Sequence, residues 1–227
     1  MRPSIKQFVE ICTRHLPIHA PIYEFGSYQV HGQEQFANLR ELFPGKAYVG
    51  SDMRVGRGVD AVLNLHDLGL PSGSVGTALC LDTLEHVEYP HKACAELYRV
   101  IKPHGLLVLS SVMNFPIHDY PNDYWRFTPE AFASLLRPFE FVEIVSGGDP
   151  IFPHTVAAVA CKGRVDAASV AQLKGEFETW RGQFIAPALP RWRQIARMLV
   201  PPIAGWAYGR TLRCLGLRKD TVTPCGG

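Results

Sequence analysis

DTLEHVEYPHKACAELYR, Asp82 to Arg99, follows the apolar run VGTALCL at Val75 to Leu81 and continues into VIKPHGLLVLSSV. Strand, short loop, helix from about Pro90 to Ile101, turn, strand: this succession builds a doubly wound α/β sheet, whose ligand crevice lies beyond the strand ends. Asp82, Glu85 and His86 therefore fall where such folds do chemistry.

Outward from this segment the alternation persists. Ile5, Phe8, Val9, Cys12 and Leu16 recur at helical spacing, and Pro17 stops that lead-in helix. PIYEFG reads as a strand, GQEQFANLRELF (32–43) as a helix, AYVGSDM as a strand and GVDAVLNL (58–65) as an extended segment. Beyond LLVLSSV come a helix in TPEAFASLLRPF (128–139) and two strands, FEFVEIVSG and TVAAVACKG. The pattern predicts a Rossmann-like, doubly wound, mainly parallel sheet with helices on both faces, its last strands paired antiparallel, plus a helical C-terminal extension.

With 227 residues and 47% hydrophobic composition, the chain can bury one substantial core and carry a small appendage. The expected division is a domain over 1–163 and a basic helical extension over 164–227. Net charge is +2, which gives no global case for nucleic-acid binding. Charge is uneven: 13 basic and 17 acidic residues precede Gly163, against 10 basic and 4 acidic after it. In the extension, Trp192, Ile195, Ala196 and Leu199 share a helical face flanked by Arg191, Arg193 and Arg197. That face suits either packing against protein or peripheral contact with an acidic membrane, with Trp192 and Trp206 as anchors. Cys12, Cys80, Cys94, Cys161, Cys214 and Cys225 lack the paired spacing of a zinc site or dithiol motif, so reduced thiols and no metal are expected. The N-terminal residues lack an apolar signal core, and no run reaches the ~18 apolar residues of a membrane span. A cytoplasmic or membrane-peripheral protein is expected; the sequence does not set its oligomeric state.

EFGSYQVHGQ, from Glu24, stands between the first strand and the next helical pattern. Its glycines let backbone approach a ligand closely. The second strand ends at Asp52, 26 positions after Gly26, where nucleotide-binding α/β folds place an acid on ribose hydroxyls. The loop lacks the three closely spaced glycines that seat a pyrophosphate, which disfavours a nicotinamide-dependent oxidoreductase. A phosphate-free adenosyl cofactor needs only a glycine-bearing turn, a ribose acid and a polar residue by adenine. Asp67 suits the third need, with Asn64 competing; either also serves as a turn former.

The ensemble resembles the class I S-adenosylmethionine-dependent methyltransferases of the type 11-like group, carried by LEHV at Leu84–Val87, ELYRVIKPHG at Glu96–Gly105, EFGS at Glu24–Ser27 and the strand-end Asp52. The resemblance spans about Pro21 to Gly163. It implies S-adenosylmethionine as cofactor, with Glu24 and Gly26 by the methionine end, Asp52 at the ribose, Asp67 and Leu68 at adenine, Leu81 and Asp82 by the reactive end, and Ser27, Gly32 and Met53 also among the cofactor-binding residues. Two departures stand out. Ser27 to His31 replace a glycine-rich loop, and His104 replaces a glycine of a KPGG turn.

The segment NFPIHDYPNDYWRFTPEAF also resembles bacterial methyltransferases associated with surface-glycan pathways, through its DYWRFTPE core. Thr128, Pro129 and Glu130 make a helix start. His118, Asp123 and Tyr124 are the candidate substrate-binding residues. For a hydroxyl acceptor, His86 is the first candidate general base, since imidazole titrates near neutral pH, with Asp82 or Asp119 orienting it or acting instead. The expected activity is methylation of a hydroxyl on a small-molecule or glycan-type acceptor. The competing expectation is a non-catalytic methyltransferase-like binding or scaffold protein, consistent with the altered loop.

Overall fold

The structure, a computed structural model, describes residues 2–32, 37–118, 122–149 and 151–184. Its centre is the strand read first, β4 (Val75–Leu81), buried at every position. Its neighbours are β1 (Ile22–Phe25) on one side and β5 (Ile101–Val112) on the other. With β2 (Tyr48–Asp52), β3 (Ala61–Val62), β6 (Phe141–Gly148) and β7 (Pro153–Cys161), they form one sheet in the order β3-β2-β1-β4-β5-β7-β6. All pairings are parallel except those of β7 with β5 and β6. The chain winds outward from β1 to β3, then returns to β4 and winds the other way. The β1–β4 junction is thus the switch point, where such sheets open a crevice at their carboxyl edge.

Helices cover both faces. α1 (Pro3–His15) and α4 (Ala167–Gly182) pack on one face through Phe8, Phe177 and Trp180, with the Phe8 and Phe177 rings stacked at 4.8 Å. The Trp180 indole also donates to the Ser4 carbonyl at 2.9 Å. α2 (Pro90–Val100) and α3 (Pro129–Leu135) cover the other face through Ala93, Leu97 and Phe132. α2 begins on Pro90, whose missing N–H costs nothing in a first turn. The start of the basic extension is therefore part of the compact unit Met1–Ile185. The remainder, Ala186–Gly227, with Trp192, Trp206 and the arginine-flanked face, lies outside the described residues. No helix among the described residues is long and apolar enough to cross a membrane.

Two elements are shorter than their sequence patterns, and a third is described only in part: of the helix expected over 32–43, residues 33–36 lie outside the described residues, Ala37 is helical, and a 3-10 turn, Arg40–Leu42, follows Asn38, whose side chain accepts from the Arg40 amide. β3 is two residues long because Asn64 turns the chain, its side chain accepting from the His66 N–H at 2.9 Å. α3 stops at Leu135, ahead of Pro138, which disfavours helical backbone in the residue before it. Thr128 caps that short helix by accepting from the Ala131 amide at 3.1 Å. Thr128→Ala should cost about 1 kcal/mol in urea denaturation, the usual worth of an N-cap.

Candidate functional site at the carboxyl edge of the sheet

Register gathers the site. Phe25 pairs with both Ser51 and Cys80, so Gly26, Asp52 and Leu81 emerge side by side; Asp52 in turn pairs with Val62, which leads to Asp67. Gly26 has φ +89° and needs to be glycine twice over: a β-carbon there would lie 2.1 Å from the Thr83 hydroxyl. The Gly26 and Ser27 amides both donate to the Ser51 carbonyl, at 2.7 and 2.9 Å. Ser27 Oγ then donates to the Gly58 carbonyl, and the Gln29 amide to the Arg57 carbonyl. The loop that replaces the glycine-rich array is thus fastened to the loop after β2. Tyr28 adds a ring beneath the Arg54 guanidinium, 4.3 Å away. Gly32 sits apart from this arrangement, exposed.

Asp52 is held near the β2 tip, its Oδ1 accepting from the Arg54 amide and Nε at 3.0 and 3.1 Å. Next to it, Met53, Leu63, Asn64, Asp67 and Leu68 line a shallow groove of about 380 Å³. The Asp67 side chain is exposed there, while the Leu68 amide is committed to Glu96 Oε2 at 3.0 Å. Arg99 clamps Glu96 and keeps its carboxyl below the usual range. Glu24 lies beneath the loop, buried, accepting from Tyr48 Oη at 2.6 Å; burial pushes its carboxyl up to about 7. Arg40 lies over the Tyr48 ring and pairs with Asp60.

On the β4–β5 side, Leu81 is buried and Asp82 turns into the left-handed region at φ +45°. Its carboxylate receives Arg2 through two bonds of 3.1 and 3.2 Å and Ser110 Oγ at 2.9 Å. Asp82 is therefore tied to Arg2, which also reaches His154 Nδ1 at 3.2 Å. The group that orients His86 is instead the Asn122 carbonyl, 2.6 Å from Nδ1. A carbonyl only accepts, so Nδ1 carries the proton and Nε2 keeps a lone pair. Burial holds this imidazole below its ordinary pKa, favouring the neutral form. Glu85 is wholly buried; desolvation and the nearby Asp82 charge push it up to about 8.

The DYWRFTPE core is partly a clamp. Asp123 is bound by both terminal nitrogens of Arg126 and by the His118 amide at 2.8 Å, and Arg126 holds it well below the usual carboxylate range. Its carboxylate thus positions His118. The Tyr124 and Trp125 amides donate to the Glu85 carbonyl, and the Trp125 indole to the Val87 carbonyl, stapling the segment to the turn after β4. The side chains of Tyr124 and Trp125 remain half exposed. Asp119 lies outside the described residues. Sequence reading missed Arg2, Thr83, Ser110 and Asn122, which carry no local motif, and gave Glu96, though it opens the ELYR motif, no role under the Leu68 amide.

Comparison with known proteins bears on the fold. Residues 31–109 match the family model described as a methyltransferase domain. No curated protein matches the chain. A SAM-dependent methyltransferase from Archaeoglobus fulgidus is similar in fold, at 15% identity and TM-score 0.52, covering 69% of this chain and 94% of that one. So is Burkholderia thailandensis 1,6-didemethyltoxoflavin-N1-methyltransferase, solved with 1,6-didemethyltoxoflavin and S-adenosylhomocysteine, at 16% identity and TM-score 0.53, covering 71% of this chain and 79% of that one. The residues present fit an adenosyl cofactor at the nucleoside end. Asp52 and Asp67 carry acceptors suited to hydroxyl and amino groups, and Asp67 lines a groove with Met53, Leu63 and Leu68.

Proposed function

We propose that this chain is a class I S-adenosylmethionine-dependent methyltransferase of the type 11 group and that it methylates a hydroxyl oxygen of a small-molecule or glycan-type acceptor. Asp52 and Met53 would hold the ribose, Asp67 and the Leu68 side the adenine, and the Gly26–Ser27 turn the methionine end. When bound, the cofactor supplies both an activated methyl group and its leaving group. The protein's own work is then alignment and exclusion of water, and positioning is worth up to ~7–11 kcal/mol in favourable cases.

The observation that carries the hydroxyl assignment is His86. Its Nδ1–H is fixed on the Asn122 carbonyl, its imidazole is kept neutral by burial, and Nε2 is left as a proton acceptor beside Asp123-anchored His118. Such a base lowers the cost of taking a hydroxyl proton by ~10²–10⁴-fold in rate. Support for a ring-bearing, polyhydroxyl acceptor comes from the surroundings. Phe115, Tyr124, Trp125 and Phe152 expose large apolar surface on the loops at this edge, next to the polar groups of the same loops. Rings of this kind cover apolar faces while polar neighbours bind hydroxyls.

The test is methyl-transfer profiling of cell extracts and glycan precursors with methyl-labelled S-adenosylmethionine. Transfer to an oxygen that falls at least 100-fold in His86→Ala, with S-adenosylhomocysteine affinity kept, is the expected result. Transfer to nitrogen or carbon alone overturns the acceptor assignment. Asp52→Ala should weaken S-adenosylhomocysteine binding in calorimetry by roughly 10–100-fold, the worth of charge-assisted hydrogen bonds of ~1.5–3 kcal/mol. Unchanged affinity would remove Asp52 from the ribose site.

A further inference from the structure

We propose that Glu85, His86 and His118 form a binding site for one divalent transition-metal ion of the zinc class. One ligand atom from each residue lies within 4.8 Å of the other two. The residues are two neighbours on the turn after β4 and a third on the loop after β5, so no sequence spacing announces the set.

Three independent features prepare these side chains as ligands. Glu85 is 0% exposed; its Oε2 receives Ser111 Oγ at 2.6 Å, and its Oε1 is buried without a hydrogen-bond partner. A buried carboxyl oxygen left without a partner is costly, and a cation that displaces the carboxyl proton is a partner that relieves it. His86 has Nδ1 on the Asn122 carbonyl, which fixes its tautomer and leaves Nε2 as the ligand atom. His118 has Nδ1 at 3.2 Å from both the Pro116 carbonyl and Asp123 Oδ2, which fixes the same tautomer. Metal-binding histidines are oriented in this way, by a carbonyl or carboxylate on the far nitrogen. Here Arg126 in turn holds that carboxylate. The two rings meet edge to face, centroids 4.7 Å apart.

Two neutral imidazoles and one carboxylate make a borderline donor set suited to zinc and its neighbours rather than to magnesium or calcium. Bonds of ~2.0–2.2 Å hold tetrahedral ligand atoms about 3.4 Å apart, so the three groups close by roughly an ångström on binding. Three protein ligands leave at least one coordination position for an oxygen. The consequence for catalysis rests on the methyl-transfer reading: with an ion held, His86 would be a ligand and the ion would supply Lewis acidity to a coordinated acceptor hydroxyl, whose proton would pass to water. Without the ion, His86 takes that proton itself.

The full chain, stripped with a chelator, would be titrated with Co(II) by visible absorption and with Zn(II) by calorimetry. One equivalent should bind, with ligand-field bands in the visible for cobalt. Glu85→Gln and His118→Ala should each weaken binding by about 10–100-fold. His91→Ala, on the exposed face of α2, should not. S-adenosylhomocysteine affinity of each variant reports whether it is folded. X-ray absorption at the zinc edge of the unaltered chain should contain imidazole scattering from two histidines. Failure to bind one equivalent, binding indifferent to both substitutions, or a zinc shell without imidazole each overturns the site. Loss of S-adenosylhomocysteine binding by the unaltered chain would instead overturn the cofactor reading and leave the ion site standing.

Discussion

Gly26→Val is expected to destabilise the chain by about 2–6 kcal/mol and to raise the dissociation constant for S-adenosylhomocysteine by about 30-fold or more. Two costs add. Position 26 has φ +89°, a region that charges a branched L-residue ~1–3 kcal/mol. Its β-carbon would also lie 2.1 Å from Thr83 Oγ1 and 2.7 Å from Thr83 Cγ2, and forced overpacking costs a further ~1–3 kcal/mol. Thr83 has little room to retreat, because its hydroxyl donates to the Leu81 carbonyl at 2.9 Å. The loop yields instead, pulling the Gly26 and Ser27 amides off the Ser51 carbonyl. If ~2 kcal/mol of that displacement must be undone to bind ligand, affinity falls about 30-fold. Thermal melting should drop by ~2–4 °C for each kcal/mol lost in a domain of this size. Thr83→Ala in the same chain removes the two closest contacts, leaving the residue-83 Cβ at 2.9 Å and the φ penalty in place, so it should restore part of the stability. A Gly26→Val chain that binds S-adenosylhomocysteine at parental affinity would place the cofactor away from the β1 tip.

The fold was legible because its signals are local and repeated. VGTALCL is apolar but for Thr77 because β4 is covered on both faces, and the α2 stripe of Ala93, Leu97 and Val100 repeats at helical spacing. The edges of the sheet were less legible. β3 shrinks to two residues under the Asn64 turn, whose signal is a single side chain. For the site, Gly26 and Asp52 could be put at strand ends, since a parallel sheet aligns its carboxyl tips whatever the loops contain, whereas Asp67 lies five positions beyond β3 and was chosen for its chemistry. What sequence did not reveal is how carboxylates are spent. Asp82 and Asp123 look alike as candidates for chemistry, yet one is paired with Arg2, 80 positions away, and the other with Arg126, three positions away. His104 is a smaller case. It stands where the related turn carries glycine, and its φ of +61° is the reason glycine is favoured there.

Glu24 gives the second large effect, and its sign follows from burial. In the folded chain its pKa rises from 4.5 to about 7, first through desolvation, with the Tyr48 hydrogen bond opposing. Between those two values the folded state holds a proton that the unfolded state has released. Stability is therefore fully present below pH 4.5 and is lost as pH rises through about 7. At 1.36 kcal/mol per unit the loss approaches ~3 kcal/mol. Glu24→Gln keeps the shape, still accepts from Tyr48 Oη and has no charge to desolvate. Relative to the parent, it should therefore gain up to ~3 kcal/mol at pH 8 and almost nothing at pH 4.5. Urea denaturation at several pH values measures this directly, and parallel profiles for the two chains would refute the buried-charge account. A side chain that costs this much at neutral pH, when an amide would not, is retained for something other than stability. The resemblance places Glu24 at the methionine end of the cofactor, whose amino group is positive. The stabilised Glu24→Gln chain should therefore bind S-adenosylhomocysteine more weakly than the parent at pH 8. A chain that is both more stable and equally avid would move Glu24 out of the site and into the framework of the sheet.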